Sequence, residues 1–387
     1  MKRSRRVMDG SSLRLMDGLD HITLGENEAT DFSMKALALK DLKSIKAELG
    51  VSSVSYGLQR SISNAVERNL NTTAMDLFEA CREGDLAVMR SLLEEDVNDL
   101  DRLSEGGLSA LHYAARNDHG QVIQLLIDHG ADPNVTGSLE NKRLSPLHFA
   151  SWFNAPVAVD TLIDNKGNVE SSSAFGQKPL HYAVARASVE LVKTLLTKGK
   201  ADPNGQDNQH FSPLHLATQR GRLDIIKMLF THGANLRAQN DEGETAVHVA
   251  AREGRDEVLR HLLQRASMTG ISCKDLVNGE NYEAKSCLQL AVNGGHVQAA
   301  MICIEYGADV RPVTKRNIPL HVASSIGDLT MVKFLLSQNY VHVDEEDSEG
   351  MTPILRASLA VTWKSLNSLS IREHQSARHQ TPQLLPL

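Results

Sequence analysis

Ser145-Pro146-Leu147-His148-Phe149-Ala150 decides the fold, because the chain writes this phrase repeatedly. Lys178-Pro179-Leu180-His181-Tyr182-Ala183, Ser212-Pro213-Leu214-His215-Leu216-Ala217 and Ile318-Pro319-Leu320-His321-Val322-Ala323 are close copies. Ser109–Ala114, Thr245–Ala250, Ser286–Ala291 and Thr352–Ala357 are weaker ones, and Leu77–Ala80 sits one period ahead. The His slot falls at residues 78, 112, 148, 181, 215, 248, 289, 321 and 355, with separations of 34, 36, 33, 34, 33, 41, 32 and 34. A second phrase keeps the same phase: His129-Gly130-Ala131-Asp132-Pro133-Asn134, Gly199-Lys200-Ala201-Asp202-Pro203-Asn204, His232-Gly233-Ala234-Asn235 and Tyr306-Gly307-Ala308-Asp309.

Each residue type has a physical task. Ser or Thr opens a first helix, its hydroxyl available to an orphan backbone N–H. Pro follows where its missing N–H does no harm. Leu and Ala face the neighbouring repeat. Gly221, Gly254 and Gly327 break the chain before a second helix. That helix carries apolar residues at helical spacing, as in Val192, Leu195 and Leu196, or Leu259, Leu262 and Leu263. Gly130, Gly199, Gly233 and Gly307 end it, and Asp-Pro-Asn or Asp-x-x-Gly segments make a projecting hairpin. Asp118 and Asn154 replace the inter-helix Gly in repeats two and three, which predicts tighter-strung turns there. One repeat cannot bury its own apolar face, whereas stacked neighbours share a continuous core.

A period near 33 carrying two phrases in register resembles the ankyrin-repeat family. The resemblance implies an all-α solenoid of about nine helix-turn-helix repeats with projecting hairpin loops. The array is placed at residues 70–369, with degenerate first and last repeats. Residues 1–69 do not repeat and read as a mobile segment, with a short amphipathic helix expected over Ser33–Leu49. Residues 370–387 read as an unstructured tail. The 41-residue step predicts a long loop from Arg265 to Glu283 on the hairpin side. The last repeat fails after Trp363. We therefore expect a longer form in which the array continues, and apolar surface exposed at the C-terminal end of this one.

Composition narrows the function. The 387 residues are 41% apolar but only 4% aromatic, so Leu, Ile, Val and Ala must fill the core. A net charge of −7 argues against a nucleic-acid partner. Residues 1–69 hold 11 Lys/Arg and 9 Asp/Glu, so the remainder, with 30 against 39, is the acidic part. Four cysteines make no disulfide scaffold and suit a reducing compartment. Neither an apolar run of about 18–20 residues nor a secretory leader is present, so direct membrane insertion is not expected. The location is read as cytoplasmic.

The search for chemistry finds little. His112, His148, His181, His215, His248 and His321 are one structural position repeated, read as rings that bond the neighbouring hairpin backbone. They have no Cys or acidic partner in register for a metal. Cys287 and Cys303 fall in apolar slots, and Cys273 in the long loop is the candidate reactive thiol. Arg60-Ser61-Ile62-Ser63 is a candidate phosphate acceptor. No phosphate-binding loop, dinucleotide fingerprint, kinase loop or nucleophile elbow occurs. No cofactor, no metal and no catalysis are expected.

What remains is surface. The two residues after the helix-one Ala pair, with the hairpin tips, line the concave face. Trp152 and Phe153 read as an aromatic anchor there. Arg116, Arg186, Arg220 and Arg252 read as a basic row. Phe211, with Lys142, Arg143, Asn208, Gln209, His210, Lys315 and Arg316, marks the hairpin tips. On this reading Trp152→Ala leaves the melting temperature nearly unchanged and weakens partner binding. Protein partners are expected on this face.

Three further stretches carry a narrower resemblance: Ser55-Tyr56-Gly57-Leu58-Gln59, the run from Leu290-Ala291-Val292-Asn293-Gly294-Gly295-His296 to Ile304-Glu305-Tyr306-Gly307-Ala308, and Asp347-Ser348-Glu349-Gly350-Met351-Thr352-Pro353 with Trp363 beyond. Their order is similar to the N-terminal cytoplasmic region of TRPA-type transient receptor potential cation channels. The resemblance implies an arm of a calcium-permeable sensory channel, with channel subunits of that family as partners at the inner face of the plasma membrane. The family's pore helices are absent from these residues. The alternatives are a free-standing ankyrin adaptor or inhibitor, and a regulatory part of an ankyrin-linked enzyme.

Overall fold

The computed structural model describes residues 76–94, 99–186, 188–310, 318–338 and 342–360. The segment 1–69 with its Ser33–Leu49 helix and Arg60–Ser63, the tips Lys315 and Arg316, Trp363 and the tail 370–387 lie outside the described residues.

Helices pair along the chain: α1 (Leu77–Glu83) with α2 (Leu86–Glu94), α3 (Ala110–Arg116) with α4 (Gly120–Asp128), and α5 (Pro146–Trp152) with α6 (Pro156–Asp164). They continue as α7 (Pro179–Ala185) with α8 (Val189–Thr197), α9 (Pro213–Gln219) with α10 (Leu223–Thr231), and α11 (Ala246–Arg252) with α12 (Asp256–Met268). A short α13 (Cys273–Asn278) precedes α14 (Cys287–Asn293) with α15 (Val297–Glu305) and α16 (Pro319–Ile326) with α17 (Leu329–Leu336). Residues 353–360 are helical as well. The described residues contain no strand. This is an all-α repeat solenoid.

The helices are short, seven to nine residues in most cases, too short to persist alone in water. Stacking holds them. The motif leucine of each inner helix is buried: Leu111, Leu147, Leu180, Leu214, Leu288 and Leu320, with Val247 in the same slot. Burying such a side chain contributes about 1.5–3 kcal/mol. Ile354 holds the equivalent place in the last described repeat and is 76% exposed, with Leu355 and Leu359 also exposed.

Two rows of hydrogen bonds run along the stack and fix its register. At the hairpin tips, backbone N–H groups donate to the carbonyl of the preceding hairpin: Ser138 to Gly107 at 2.9 Å, Ala174 to Lys142 at 2.7 Å, Asn208 to Phe175 at 3.0 Å, Asp241 to Gln209 at 3.0 Å and Tyr282 to Glu242 at 2.9 Å. At the hairpin bases, one side-chain oxygen per repeat accepts the next repeat's backbone N–H. Asp101 accepts Asp132 at 3.0 Å, Asn134 accepts Asn168 at 2.6 Å, Glu170 accepts Asp202 at 2.8 Å and Asn204 accepts Asn235 at 2.7 Å.

The second row explains the 41-residue step. The sequence reading of a long loop from Arg265 to Glu283 needs correcting. α12 runs on to 13 residues, and α13 follows, opened by the Ser272 hydroxyl accepting the Asp275 N–H at 3.2 Å. α13 delivers Asn278 into the shared slot, where its Oδ1 accepts Asp309 N–H at 2.7 Å and its amide donates to the Gly307 carbonyl at 2.9 Å. The extra residues are taken up as helix, and the ladder resumes in register.

Asp118 and Asn154 adopt left-handed φ values of 61° and 58°, the conformation that Gly84, Gly221, Gly254, Gly295 and Gly327 take in their repeats. Their side chains offset that strain by tying repeats together. Asp118 Oδ1 accepts Ala158 N–H at 2.7 Å, and the Ser188 hydroxyl donates to Asn154 Oδ1 at 2.6 Å. Lys200 is different. It is exposed at φ 53° and takes the left-handed place held by Gly130 and Gly233 in other repeats. A non-glycine residue there costs about 1–2 kcal/mol, against about 0.5–1 kcal/mol of extra chain entropy for glycine. Lys200→Gly is therefore expected to raise stability by a few tenths to about 1 kcal/mol. A urea-unfolding midpoint that falls would refute this.

Candidate partner-binding face

The His slot binds repeat to repeat. In His112 the Nδ1 lies 3.1 Å from the Ser109 backbone N–H and 2.8 Å from its hydroxyl. A backbone N–H only donates, so Nδ1 is the acceptor and the ring proton sits on Nε2. That Nε2–H donates to the Leu144 carbonyl of the next repeat at 2.8 Å. The arrangement recurs in His148 to Gln177 at 3.0 Å, His181 to Phe211 at 3.1 Å, His215 to Glu244 at 3.1 Å and His248 to Gly279 at 2.9 Å. His321 donates to the Met351 carbonyl at 2.9 Å, but Ile318 stands where the others have a hydroxyl or a usable N–H, and its Nδ1 has no partner. Gln289 fills the slot in α14, its Oε1 accepting Ser286 N–H at 2.5 Å. Burial pushes His112, His148, His181 and His215 down to about 4, so these rings are neutral near pH 7.

The cysteines are similarly placed. Burial pushes the Cys81 and Cys303 thiols up to about 12 and raises Cys287 as well. Cys273 is half-buried, and its thiol donates to the Leu263 carbonyl at 3.2 Å. Among the described residues no group of three His, Cys, Asp or Glu side chains is arranged to hold a metal.

The concave-face candidates separate into three kinds. Trp152 requires a correction: it is 2% exposed and does not offer an open anchor. Its slot at the end of the inner helix holds Arg116, Ala185, Gln219 or Arg252 in other repeats. An indole there gains more by entering the inter-repeat gap than by facing water. It meets Tyr182 edge-on at 6.0 Å between centroids, while the Arg186 guanidinium covers it at 4.9 Å. Phe211 requires the same correction. It is 5% exposed, its ring meets His215 edge-on at 5.7 Å, and its carbonyl takes the His181 bond.

Arg252 is neutralised internally. It lies 3.1 Å from Glu244, whose side chain is 2% exposed, and 3.1 Å from Glu253. Burial raises the Glu244 pKa, and the Arg252 charge opposes that rise. Arg220 is half-buried.

Arg116 and Arg186 remain, and they share a geometry. The Arg116 guanidinium lies 4.7 Å from the centre of the Phe153 ring, as Arg186 lies over Trp152. Phe153 in turn stacks on Phe149 at 5.9 Å. The first of the two face positions in one repeat thus meets the second position of the next. Two guanidiniums, one from each flanking repeat, converge on the aromatic pair of repeat three. Phe153 and the two arginines were legible in the sequence as surface candidates. Their diagonal pairing was not, because it depends on the stagger between repeats.

The family description "Ankyrin repeats (3 copies)" matches residues 58–137, 77–170, 147–240, 180–275 and 266–347. The chain belongs to the ankyrin-repeat family. Among curated relatives of this ankyrin chain, the probable 26S proteasome regulatory subunit p28 of Saccharomyces cerevisiae is 30% identical over 214 residues, 55% of this chain and 78% of p28. The transient receptor potential cation channel subfamily A member 1 of Homo sapiens is 24% identical over 297 residues, 67% of this chain and 26% of the channel. The palmitoyltransferase AKR1 of Lachancea kluyveri is 28% identical over 193 residues, 49% of this chain and 26% of that protein. The ankyrin chain thus spans about a quarter of the channel and of the transferase. Ankyrin arrays mediate protein interactions, and that role follows from the family. No described helix is long and apolar enough to cross a membrane.

Proposed function

We propose that this chain is a non-catalytic docking array of the kind that forms the cytoplasmic arm of TRPA-type cation channels, and that it binds protein partners through the face made by the inner-helix ends and hairpins. The observation that carries the docking role is the use of the histidines. Five of the six motif rings have both nitrogens engaged in cap and inter-repeat bonds, so the most reactive-looking residues are spent on rigidity. A rigid scaffold with a varied face binds with a reduced ordering cost. The channel reading is supported by the alignment that covers 67% of this chain.

The test is co-expression with a full-length TRPA-type channel. The chain should co-purify with the channel and shift its response to stimulus. Failure to co-purify would overturn the channel reading. A second reading, a free-standing ankyrin adaptor, is favoured by the 78% coverage of p28. Co-purification with the proteasome regulatory particle instead of the channel would establish it. A photo-crosslinking residue at Arg186 should capture partner more efficiently than one at Lys193, which is exposed on the outer helix α8. Equal capture would count against the concave face.

A further inference from the structure

Four of the 14 face positions in repeats two to eight are arginine (Arg116, Arg186, Arg220 and Arg252) and one, Glu253, is acidic. This stripe runs against an array whose 28 Lys/Arg face 38 Asp/Glu over residues 70–369. Both ends of the stripe are neutralised internally. Arg82, at the equivalent position of repeat one, pairs with Glu79 and Glu83. Arg252 pairs with Glu244 and Glu253. Between these ends, Arg116 and Arg186 have no carboxylate partner among the described residues; each rests on an aromatic ring instead.

We propose that repeat three is the docking point for a cluster of Asp or Glu side chains on a partner polypeptide, received by Arg116 and Arg186 on the Phe153–Trp152 platform. This rests on the docking-array reading above. Stacking occupies the face of a guanidinium and leaves its N–H edge available for a bidentate bond to a carboxylate. The rings fix the two forks in advance, so little rotamer freedom is lost on binding. A third observation points the same way. The Trp152 indole N–H is buried beneath Arg186 and has no acceptor, a state that costs about 1–3 kcal/mol.

Trp152 and Phe153 are positioning residues here and Arg116 and Arg186 are the binding ones. Because two arginines make the site, the partner segment needs two or three carboxylates within a short stretch, not a long acidic tract.

The experiment uses the whole chain and a fluorescein-labelled Glu/Gly-rich 12-residue peptide, read by fluorescence anisotropy. Binding should weaken as salt rises. Arg116→Gln with Arg186→Gln should raise Kd at least tenfold, whereas Lys193→Gln on the outer face should change it less than twofold. Arg186→Lys, which keeps the charge but loses the planar fork, should fall between. Unfolding curves of all variants should overlay, separating lost binding from lost fold. The proposal fails if the peptide does not bind or if the double variant binds within twofold of the parent. It also fails if a phosphoserine peptide or phosphatidylserine vesicles alone bind in an arginine-dependent way. If partner capture by the crosslinker at a third face position, Asn117, survives in the double variant, the docking array stands and only the acidic-segment site is lost.

Discussion

Trp152→Ala is expected to destabilise the array by about 3–5 kcal/mol, the range for removing a large buried aromatic. This reverses what sequence position alone suggests for the residue. The indole is 2% exposed, lies edge-on to Tyr182 and carries Arg186 on its face. Truncation leaves a cavity between repeats three and four and frees Arg186 at once. Each repeat is stabilised mainly by its nearest neighbours, so the loss should split unfolding into two steps, with repeats on either side of the cavity uncoupled. Trp152→Phe keeps most of the volume and should cost less than half as much. Urea unfolding followed by circular dichroism measures both. A change below about 1 kcal/mol in Trp152→Ala, within the range of ordinary surface substitutions, would return the indole to the open surface.

Acidification is the second large effect. The His112, His148, His181 and His215 rings are held at about 4 by burial, while a free ring titrates near 6.5. Between these values the unfolded chain binds protons that the folded chain refuses. Stability therefore falls as pH drops through about 6.5 and stops falling from this source below about 4. At about 1.4 kcal/mol per pK unit, each ring contributes about 3 kcal/mol over the full window. Four of them exceed the net stability of a typical domain, about 5–15 kcal/mol, at its lower end. Asp207 and Glu244 act in the opposite sense, since burial raises their pKa and the folded form holds their protons more tightly. The expected result is cooperative unfolding above pH 4. His148→Gln supplies a test of cause. Gln289 shows that an amide serves in this slot, so the variant should fold, and its urea midpoint should lose about a quarter of the slope with pH. A midpoint flat from pH 6.5 to 4 would refute the account.

The sequence by itself determined the solenoid. A period near 33, Ser or Thr before Pro-Leu-His, and leucines at helical spacing each record a local requirement: a cap, a first turn, a buried stripe. Such requirements repeat because every repeat meets the same neighbour on either side, so one reading serves all of them. The histidine role was legible for the same reason, as was the placing of Asp118 and Asn154 at the inter-helix glycine position, whereas their bonds to the next repeat were not.

Only the tertiary structure decided the face. Trp152 and Arg116 occupy the same position in successive repeats, yet one ring is buried and one guanidinium lies over its neighbour's Phe153. The same stacking places Arg186 on Trp152 and brings Asn278 of α13 to Asp309. The physical reason is that repeats stack with first-position side chains meeting second-position side chains of the next repeat. Which side chain meets which across that contact depends on the sizes of both partners together, and a periodic pattern read along one chain carries no record of that pairing.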